Sequence, residues 1–121
     1  MSLVRVRSAT RGAELANRVR VASGWWSRFR GLLGTSELEP GQGLLLTPCR
    51  SVHTWGMRYP IDVVFLDREG RSVAVYPDLP PSRRTAWHRD ARQVLELPAG
   101  TLDGAGSRLG DRLEFGPVAM D

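Results

Sequence analysis

Short stretches of alternating apolar and polar residues, separated by turn-forming residues, recur along this chain of 121 residues. Alternation with a period of two puts successive side chains on opposite faces of a β-strand, so each stretch predicts a half-buried strand. The expected strands cover residues 3–7, 18–22, 44–47, 51–57, 61–66, 72–76, 93–97 and 113–115. Seven or eight short strands joined by tight turns favour a mainly β fold, either a small barrel or a sandwich.

One helix is predicted within this β pattern, at about residues 24–33. Ser23 can cap its start, Trp25 and Phe29 recur at helical spacing, and Gly34 is suited to end it. We interpret the apolar stripe as the side of the helix that covers the sheet.

The whole chain, residues 1–121, is expected to form a single domain. Its length is close to that of a typical domain, and 41% hydrophobic with 25% charged residues is a globular balance. No linker rich in proline, glycine or serine divides it. Residues 67–70 predict a hairpin turn with Gly70 at a position that favours a positive φ, and residues 77–91 predict a loop.

Three features of the sequence bear on where the protein acts. No stretch approaches the roughly 18 apolar residues of a membrane helix, and the N-terminal residues lack the apolar core of a signal peptide. Cys49 is the only cysteine, so no internal disulfide can form and a reducing compartment is expected. We therefore expect a soluble, cytoplasmic monomer without a membrane partner.

The net charge of +4 raises the question of a nucleic-acid partner. All 17 basic residues are arginine, and they are spread along the chain in small groups. The closest groups are residues 5/7, 18/20, 28/30 and 83/84. Phosphate binding favours charges clustered on one face, so we interpret these arginines as solvated faces and expect no nucleic-acid partner.

The predicted strand 51–57 carries the most unusual combination of side chains. Ser51, His53, Trp55 and Met57 would all point to one side, and Arg58 follows. An apolar wall with a few polar groups is typical of a small-molecule pocket. Trp55 and Met57 would form the wall, Ser51 and His53 would make hydrogen bonds, and Arg58 would hold an anionic group. Plain packing, or a hydrogen bond from His53 to a neighbouring strand, is the alternative.

Two carboxylates lie inside otherwise apolar strands, at Asp62 and Glu96. A carboxylate in such a position must face water, pair with arginine or stay neutral. Asp62 could orient His53 or pair with Arg58, and Glu96 could do either if its strand lies alongside. The candidate ligand-binding residues are therefore Ser51, His53, Trp55, Met57, Arg58, Asp62 and Glu96, and the candidate catalytic residues are His53, Asp62 and Glu96.

No metal site or cofactor is expected. Cys49, His53 and Met57 are possible ligands, but steps of four residues along a strand span roughly 13 Å, which is too far for one ion. The sequence holds no HExxH, GxSxG, P-loop or dinucleotide-binding motif. A thiol nucleophile at Cys49 with His53 as base would lack an identified orienting group.

Five sequence blocks, in order and at matching spacing over about residues 14–115, resemble the domain of unknown function 192 family. The blocks are residues 27–34 (SRFRGLLG), 53–58 (HTWGMR), 60–67 (PIDVVFLD), 94–100 (VLELPAG) and 110–111 (GD). The resemblance implies a compact, mainly β fold with a short helix at the first block and brings no established activity. Its motif positions coincide with His53, Trp55, Met57, Arg58, Asp62, Glu96, Gly100, Gly110 and Asp111. Many relatives look exported, whereas no signal is visible here.

Three functions remain open. The leading hypothesis is a module that binds a small molecule in a pocket around residues 51–62. The second is a hydrolase or isomerase with His53 as general base, oriented by one of the two carboxylates. The third is a domain that binds a partner protein through Trp26, Trp87 and the loop 77–91.

Overall fold

The computed structural model describes residues 3–23 and 38–118, and this part of the chain is built almost entirely from β-strands. The strands are β1 (Leu3–Ser8), β2 (Ala13–Ala22), β3 (Gln42–Leu46), β4 (Ile61–Leu66), β5 (Ser72–Leu79), β6 (Gln93–Pro98) and β7 (Leu113–Pro117), and one short helix, α1, covers Thr101–Gly104. The predicted mainly β fold is confirmed. The helix predicted at 24–33 lies outside the described residues. No described helix has the length and apolar character needed to cross a membrane.

All seven strands belong to one sheet, in the order β5-β4-β6-β3-β2-β1-β7. Only the β2–β3 pair is parallel, and every other neighbouring pair is antiparallel. The predicted hairpin between β4 and β5 is confirmed, because the Gly70 N–H donates to the Asp67 carbonyl at 3.1 Å and Gly70 has a φ of 85°.

The sheet curls into a half-barrel whose edge strands, β5 and β7, meet at one end. The Ser72 N–H donates to the Asp111 carbonyl and the Leu113 N–H donates to the Gly70 carbonyl, both at 2.8 Å. A Cβ at Gly70 would lie 2.5 Å from the Leu113 carbonyl oxygen. Gly70 is therefore required both by its positive φ and by this close approach.

The two faces of the sheet bury separate apolar clusters. The inner cluster draws on all seven strands and α1, with Val6, Val19, Leu45, Val64, Leu95, Leu97, Leu102 and Leu113 among its members. The outer cluster takes no strand residue from β1 or β7, and it contains Ala22, Leu44, Leu46, Val52, Ile61, Val63, Phe65, Ala91 and Val94. Strand β4 contributes to both clusters, so all six of its residues are buried.

The prediction of a strand at residues 51–57 is wrong, because these residues do not form a strand of the sheet. This stretch forms a single isolated bridge, between His53 and Arg84, and then turns. The Met57 N–H donates to the Thr54 carbonyl at 3.2 Å, and Gly56, with a φ of 85°, allows the turn. The alternation is nevertheless real up to this turn, because burial and exposure alternate from Val52 onwards.

Candidate functional site

Two loop segments pair with each other over the outer cluster. Residues 50–54 pair antiparallel with residues 82–88. We call the segments 50–58 and 82–90, which contain this pairing and the turns that follow it, the outer ribbon. The Thr54 N–H donates to the Arg83 carbonyl at 2.8 Å, and more backbone hydrogen bonds extend the pairing along the two segments. The ribbon thus has one side on the outer cluster and one side in solvent.

Threonine hydroxyls hold the ribbon together from its buried side. The hydroxyl of Thr54, which is fully buried, donates to the Pro80 carbonyl at 2.7 Å and accepts the Arg83 N–H at 2.9 Å. The Thr85 hydroxyl accepts the Val52 N–H at 3.0 Å. Buried backbone groups that lack a strand partner are satisfied in this way.

A histidine fastens the ribbon to the sheet. His88 Nε2 and Tyr76 Oη are hydrogen-bonded at 2.7 Å, and the His88 ring lies 4.4 Å from the Phe65 ring centroid. Tyr76 and Phe65 belong to β5 and β4, so His88 connects the ribbon to two strands. The sequence predicts only a loop at residues 77–91, and nothing in it indicates this role for His88.

The solvent side of the ribbon carries a row formed by Trp55, His53 and Arg84. The backbone hydrogen bonds on either side of the His53–Arg84 bridge make it a pair in the non-hydrogen-bonded register, where opposed side chains are closest. The rings of His53 and Trp55 are 4.8 Å apart between centroids and tilted by 32°. All three side chains are exposed, and Trp55 is 54% exposed.

The predicted binding residues in 51–58 divide between the two sides. His53, Trp55 and Arg58 are exposed, whereas Ser51 and Met57 are half-buried. Met57 packs against the outer cluster because the turn at residues 54–57 reverses the chain between Trp55 and Met57. The structure therefore separates Met57 from the wall it was expected to form with Trp55.

Asp62 lies away from His53 and has a structural role. It is 1% exposed, and its Oδ1 and Oδ2 atoms accept the backbone N–H groups of Asp78 and Leu102 at 2.8 and 2.9 Å. Asp78 has a φ of 53°, so one of these bonds stabilises an unfavourable backbone conformation in β5. The expectations that Asp62 orients His53 or pairs with Arg58 are wrong, because two amides occupy its oxygens.

Glu96 is buried within the outer face of the sheet. It is 6% exposed and lies between Leu44 of β3 and Val63 of β4 in the strand register. Among the described residues, its carboxyl group has no hydrogen-bond or ion-pair partner. Burial raises the pKa of Glu96 to about 7. The expectation that Glu96 orients His53 or pairs with Arg58 has no support in this geometry.

The family-motif residue Asp111 stabilises the closure of the half-barrel. Its carboxylate accepts two hydrogen bonds from Arg11, at 2.9 and 3.1 Å, and one from the Arg108 N–H at 3.0 Å. The hydrogen bond from Arg11 lowers the pKa of the Asp111 carboxyl. Gly110, with a φ of 92°, donates its N–H to the Ser72 hydroxyl at 2.8 Å.

The part of the chain that the structure describes contains no group of three or more histidine, cysteine, aspartate or glutamate side chains placed to hold a metal ion. Cys49, one of the three possible ligands weighed above, directs its Sγ to the Ser51 carbonyl at 3.1 Å. The feature of the site that sequence reasoning missed is Arg84, because its position beside His53 depends on the pairing of two loops.

The chain is similar over most of its length to two curated proteins and to two solved structures. A UPF0127 protein from Pyrococcus furiosus is 32% identical over 89% of this chain and 95% of that protein. A UPF0127 protein from Thermococcus sibiricus is 29% identical over 88% of this chain and 71% of that protein. The crystal structure of a candidate transcription regulator from Sinorhizobium meliloti superposes with a TM-score of 0.80 at 26% identity, covering 95% of this chain and 96% of the other.

A protein of unknown function from Novosphingobium aromaticivorans shares the fold, with a TM-score of 0.79 at 19% identity over 93% of this chain and 83% of that one. The model of the DUF192 family, described as an uncharacterized ACR, matches residues 6–115. This match covers β2 to β6 completely, β1 and β7 in part, the outer ribbon and the blocks quoted above that lie within the described residues. The chain therefore belongs to the domain of unknown function 192 family, to which no specific function is attached.

Proposed function

We propose that this protein is a ligand-binding module whose site is the solvent side of the outer ribbon. The ligand is a small anion that carries a planar ring. The observation that supports this proposal is the exposed contact between the tilted rings of His53 and Trp55, directly beside Arg84. An exposed indole offers a face for ring stacking, and a guanidinium next to it can hold a carboxylate or phosphate through two parallel hydrogen bonds.

Arg58 strengthens the electrostatic part of this site. It is exposed and follows the turn that presents Trp55. None of the three salt bridges found among the described residues involves Arg58 or Arg84. Two guanidinium groups without a carboxylate partner in that part of the chain favour an anionic ligand over a cationic one.

The catalytic alternative has less support. A histidine that acts as a general base is normally oriented by a carboxylate within hydrogen-bond distance. Within the described residues, His53 makes no such bond, and Asp62 bonds two backbone amides instead. The protein-interaction alternative has one supporting observation, since Trp87 is 68% exposed, and Trp26 lies outside the described residues.

We also propose that binding takes place in the cytoplasm. A chain with a single cysteine, Cys49, is suited to a reducing compartment because it needs no disulfide to fold.

Amide chemical shifts of the labelled protein, followed during titration, test this proposal. The ligands are AMP, benzoate, inorganic phosphate and glucose. We expect saturable shifts with AMP at residues 53–58 and 83–84, smaller ones with benzoate and phosphate, and none with glucose. Trp55→Ala and Arg84→Ala should each weaken AMP binding at least fivefold.

The matched control is Arg68→Ala, which removes an exposed arginine from the β4–β5 hairpin and should leave AMP binding unchanged. Circular dichroism of each variant checks that it folds. The proposal is wrong if no anionic ligand gives saturable shifts, or if Arg68→Ala weakens binding as much as Arg84→Ala.

A further inference from the structure

The positive charge of this chain is concentrated on the outer ribbon. The two ribbon segments contain the five arginines Arg50, Arg58, Arg83, Arg84 and Arg89, and Asp90 is their only acidic residue. Five positive charges and one negative charge give the ribbon +4, which is the net charge of the whole chain. The remaining 12 arginines are balanced by 12 acidic residues. The two segments together therefore carry as much net charge as the whole chain.

The expectation of no nucleic-acid partner rests on arginines that are spread along the sequence. Residues 50–58 and 82–90 are distant in sequence, but the antiparallel pairing of 50–54 with 82–88 brings the two arginine-containing segments together. Arg58, Arg83, Arg84 and Arg89 are all exposed. None of the five arginines takes part in a salt bridge found among residues 3–23 and 38–118.

Two exposed indoles lie toward opposite ends of this charged ribbon. Trp55 follows the His53–Arg84 bridge by two residues, and Trp87 lies three residues beyond the bridge in the antiparallel direction. Trp55 is 54% and Trp87 68% exposed. The two indoles lie near opposite ends of the paired residues, so a ligand that contacts both must extend along the ribbon, as a strand of several nucleotides does.

We propose that the outer ribbon binds single-stranded nucleic acid. This inference rests on the proposed function, since the Trp55–His53–Arg84 row would be one base-and-phosphate site of a longer surface that extends to Trp87. Bases stack on the exposed aromatic rings, and the arginines between and beside the rings contact the phosphates. This combination of aromatic platforms with a positively charged track is typical of proteins that bind single strands without sequence preference.

An acidic protein segment is the alternative occupant of the same surface. Apolar anchors of a protein partner normally insert into well-packed pockets. Here the large apolar side chains protrude from the ribbon, and every nucleotide of a single strand brings both a ring face and a negative charge to them. The exposure of the indoles beside several arginines therefore favours nucleic acid.

Fluorescence anisotropy with labelled dT12 and U12, using the full chain, tests the inference. We expect saturable binding of at least one oligonucleotide, at least tenfold tighter than AMP, that weakens steeply between 50 and 200 mM NaCl. Trp55→Ala and Trp87→Ala should each weaken it about 5- to 150-fold. Arg84→Ala should weaken it and make the salt dependence shallower, whereas Arg68→Ala should change neither.

The outcomes separate this inference from the proposed function. If AMP binds at residues 53–58 but dT12 and U12 bind no more tightly than AMP, the proposed function stands and the nucleic-acid inference is overturned. If neither AMP nor an oligonucleotide binds, both are overturned. The inference is also overturned if polyglutamate or vesicles of anionic lipid bind as tightly as dT12, or if Trp87→Ala, shown to be folded, leaves oligonucleotide binding unchanged.

Discussion

The Oδ2 atom of Asp62 accepts a hydrogen bond of 2.9 Å from the backbone N–H of Leu102, a residue 40 positions later in the chain. The other carboxylate oxygen accepts the N–H of Asp78 at 2.8 Å. One buried carboxylate in β4 thus fixes the irregular part of β5 and the start of α1. The two amide donors satisfy both carboxylate oxygens, so the position tolerates this polar group inside the core.

We expect Asp62→Ala to lower the free energy of unfolding by about 3 kcal/mol, because it leaves two amide donors without their acceptor. Urea denaturation measures this loss. The matched control is Asp103→Ala, which removes an exposed carboxylate from α1 and should cost under about 1 kcal/mol. A loss for Asp62→Ala no larger than that of the control would show that the two hydrogen bonds contribute little.

The sequence predicts those features of the fold that depend on a local pattern. The strand Ile61–Leu66 and the turn at Gly70 can be predicted, because a buried strand requires a run of apolar residues and a tight hairpin favours glycine. The role of Asp62 leaves no such mark, because its partners are backbone amides, which nearly every residue carries. Similarly, Arg84 meets His53 through the pairing of two loops, and no periodicity specifies that register.

The carboxyl group of Glu96 should make stability decrease as pH rises. Its pKa in the folded protein is about 7, above the ordinary value of 4.5, so the folded state retains a proton that the unfolded state has lost. The stabilising contribution is complete below about pH 4.5 and is lost as pH rises through about 7. The free energy of unfolding of Glu96→Gln, relative to that of the parent protein, should therefore rise by about 3 kcal/mol between pH 4 and pH 8.

Urea denaturation of both proteins across this pH range measures the difference. Glu69→Gln is the control, because Glu69 is exposed in the β4–β5 turn. This variant should show the same pH dependence of the free energy of unfolding as the parent protein. Parallel stability curves for Glu96→Gln and the parent protein would exclude a raised pKa at Glu96.

Gly70→Ala should open the end at which the half-barrel closes. The new Cβ would lie 2.5 Å from the Leu113 carbonyl oxygen. In addition, the φ of 85° at this position is one that residues with a side chain rarely adopt. We expect a loss of about 3 kcal/mol in the free energy of unfolding. Gly12→Ala is the matched control, with a φ of 68° and nothing within 4 Å of the new Cβ, and should cost only about 1 kcal/mol.

Thermal and urea denaturation compare the two glycine variants, and the difference between them isolates the contact from the cost of the backbone conformation. Amide exchange gives a second measurement, since the Leu113 N–H, which donates to the Gly70 carbonyl, should exchange faster in Gly70→Ala alone. Equal losses of unfolding free energy in Gly70→Ala and Gly12→Ala would mean that the meeting of the edge strands β5 and β7 adds nothing to stability.

The Thr54 hydroxyl should determine whether the outer ribbon keeps its shape. It joins the Pro80 carbonyl and the Arg83 N–H, and Thr54→Val removes both bonds while conserving the volume of the buried side chain. We expect a loss of about 2 kcal/mol in global stability and faster amide exchange at Arg83. Thr10→Val is the control, because it removes a hydroxyl that accepts the N–H of Arg112 at an exposed position.

The same variant, Thr54→Val, tests the binding surface. Because Arg84 follows Arg83 directly, a loosened ribbon should also weaken binding of AMP and dT12 several-fold, although no group of the binding surface has been removed. If the exchange rate at Arg83 rises while binding is unchanged, the ligand does not depend on the register that places Arg84 beside His53.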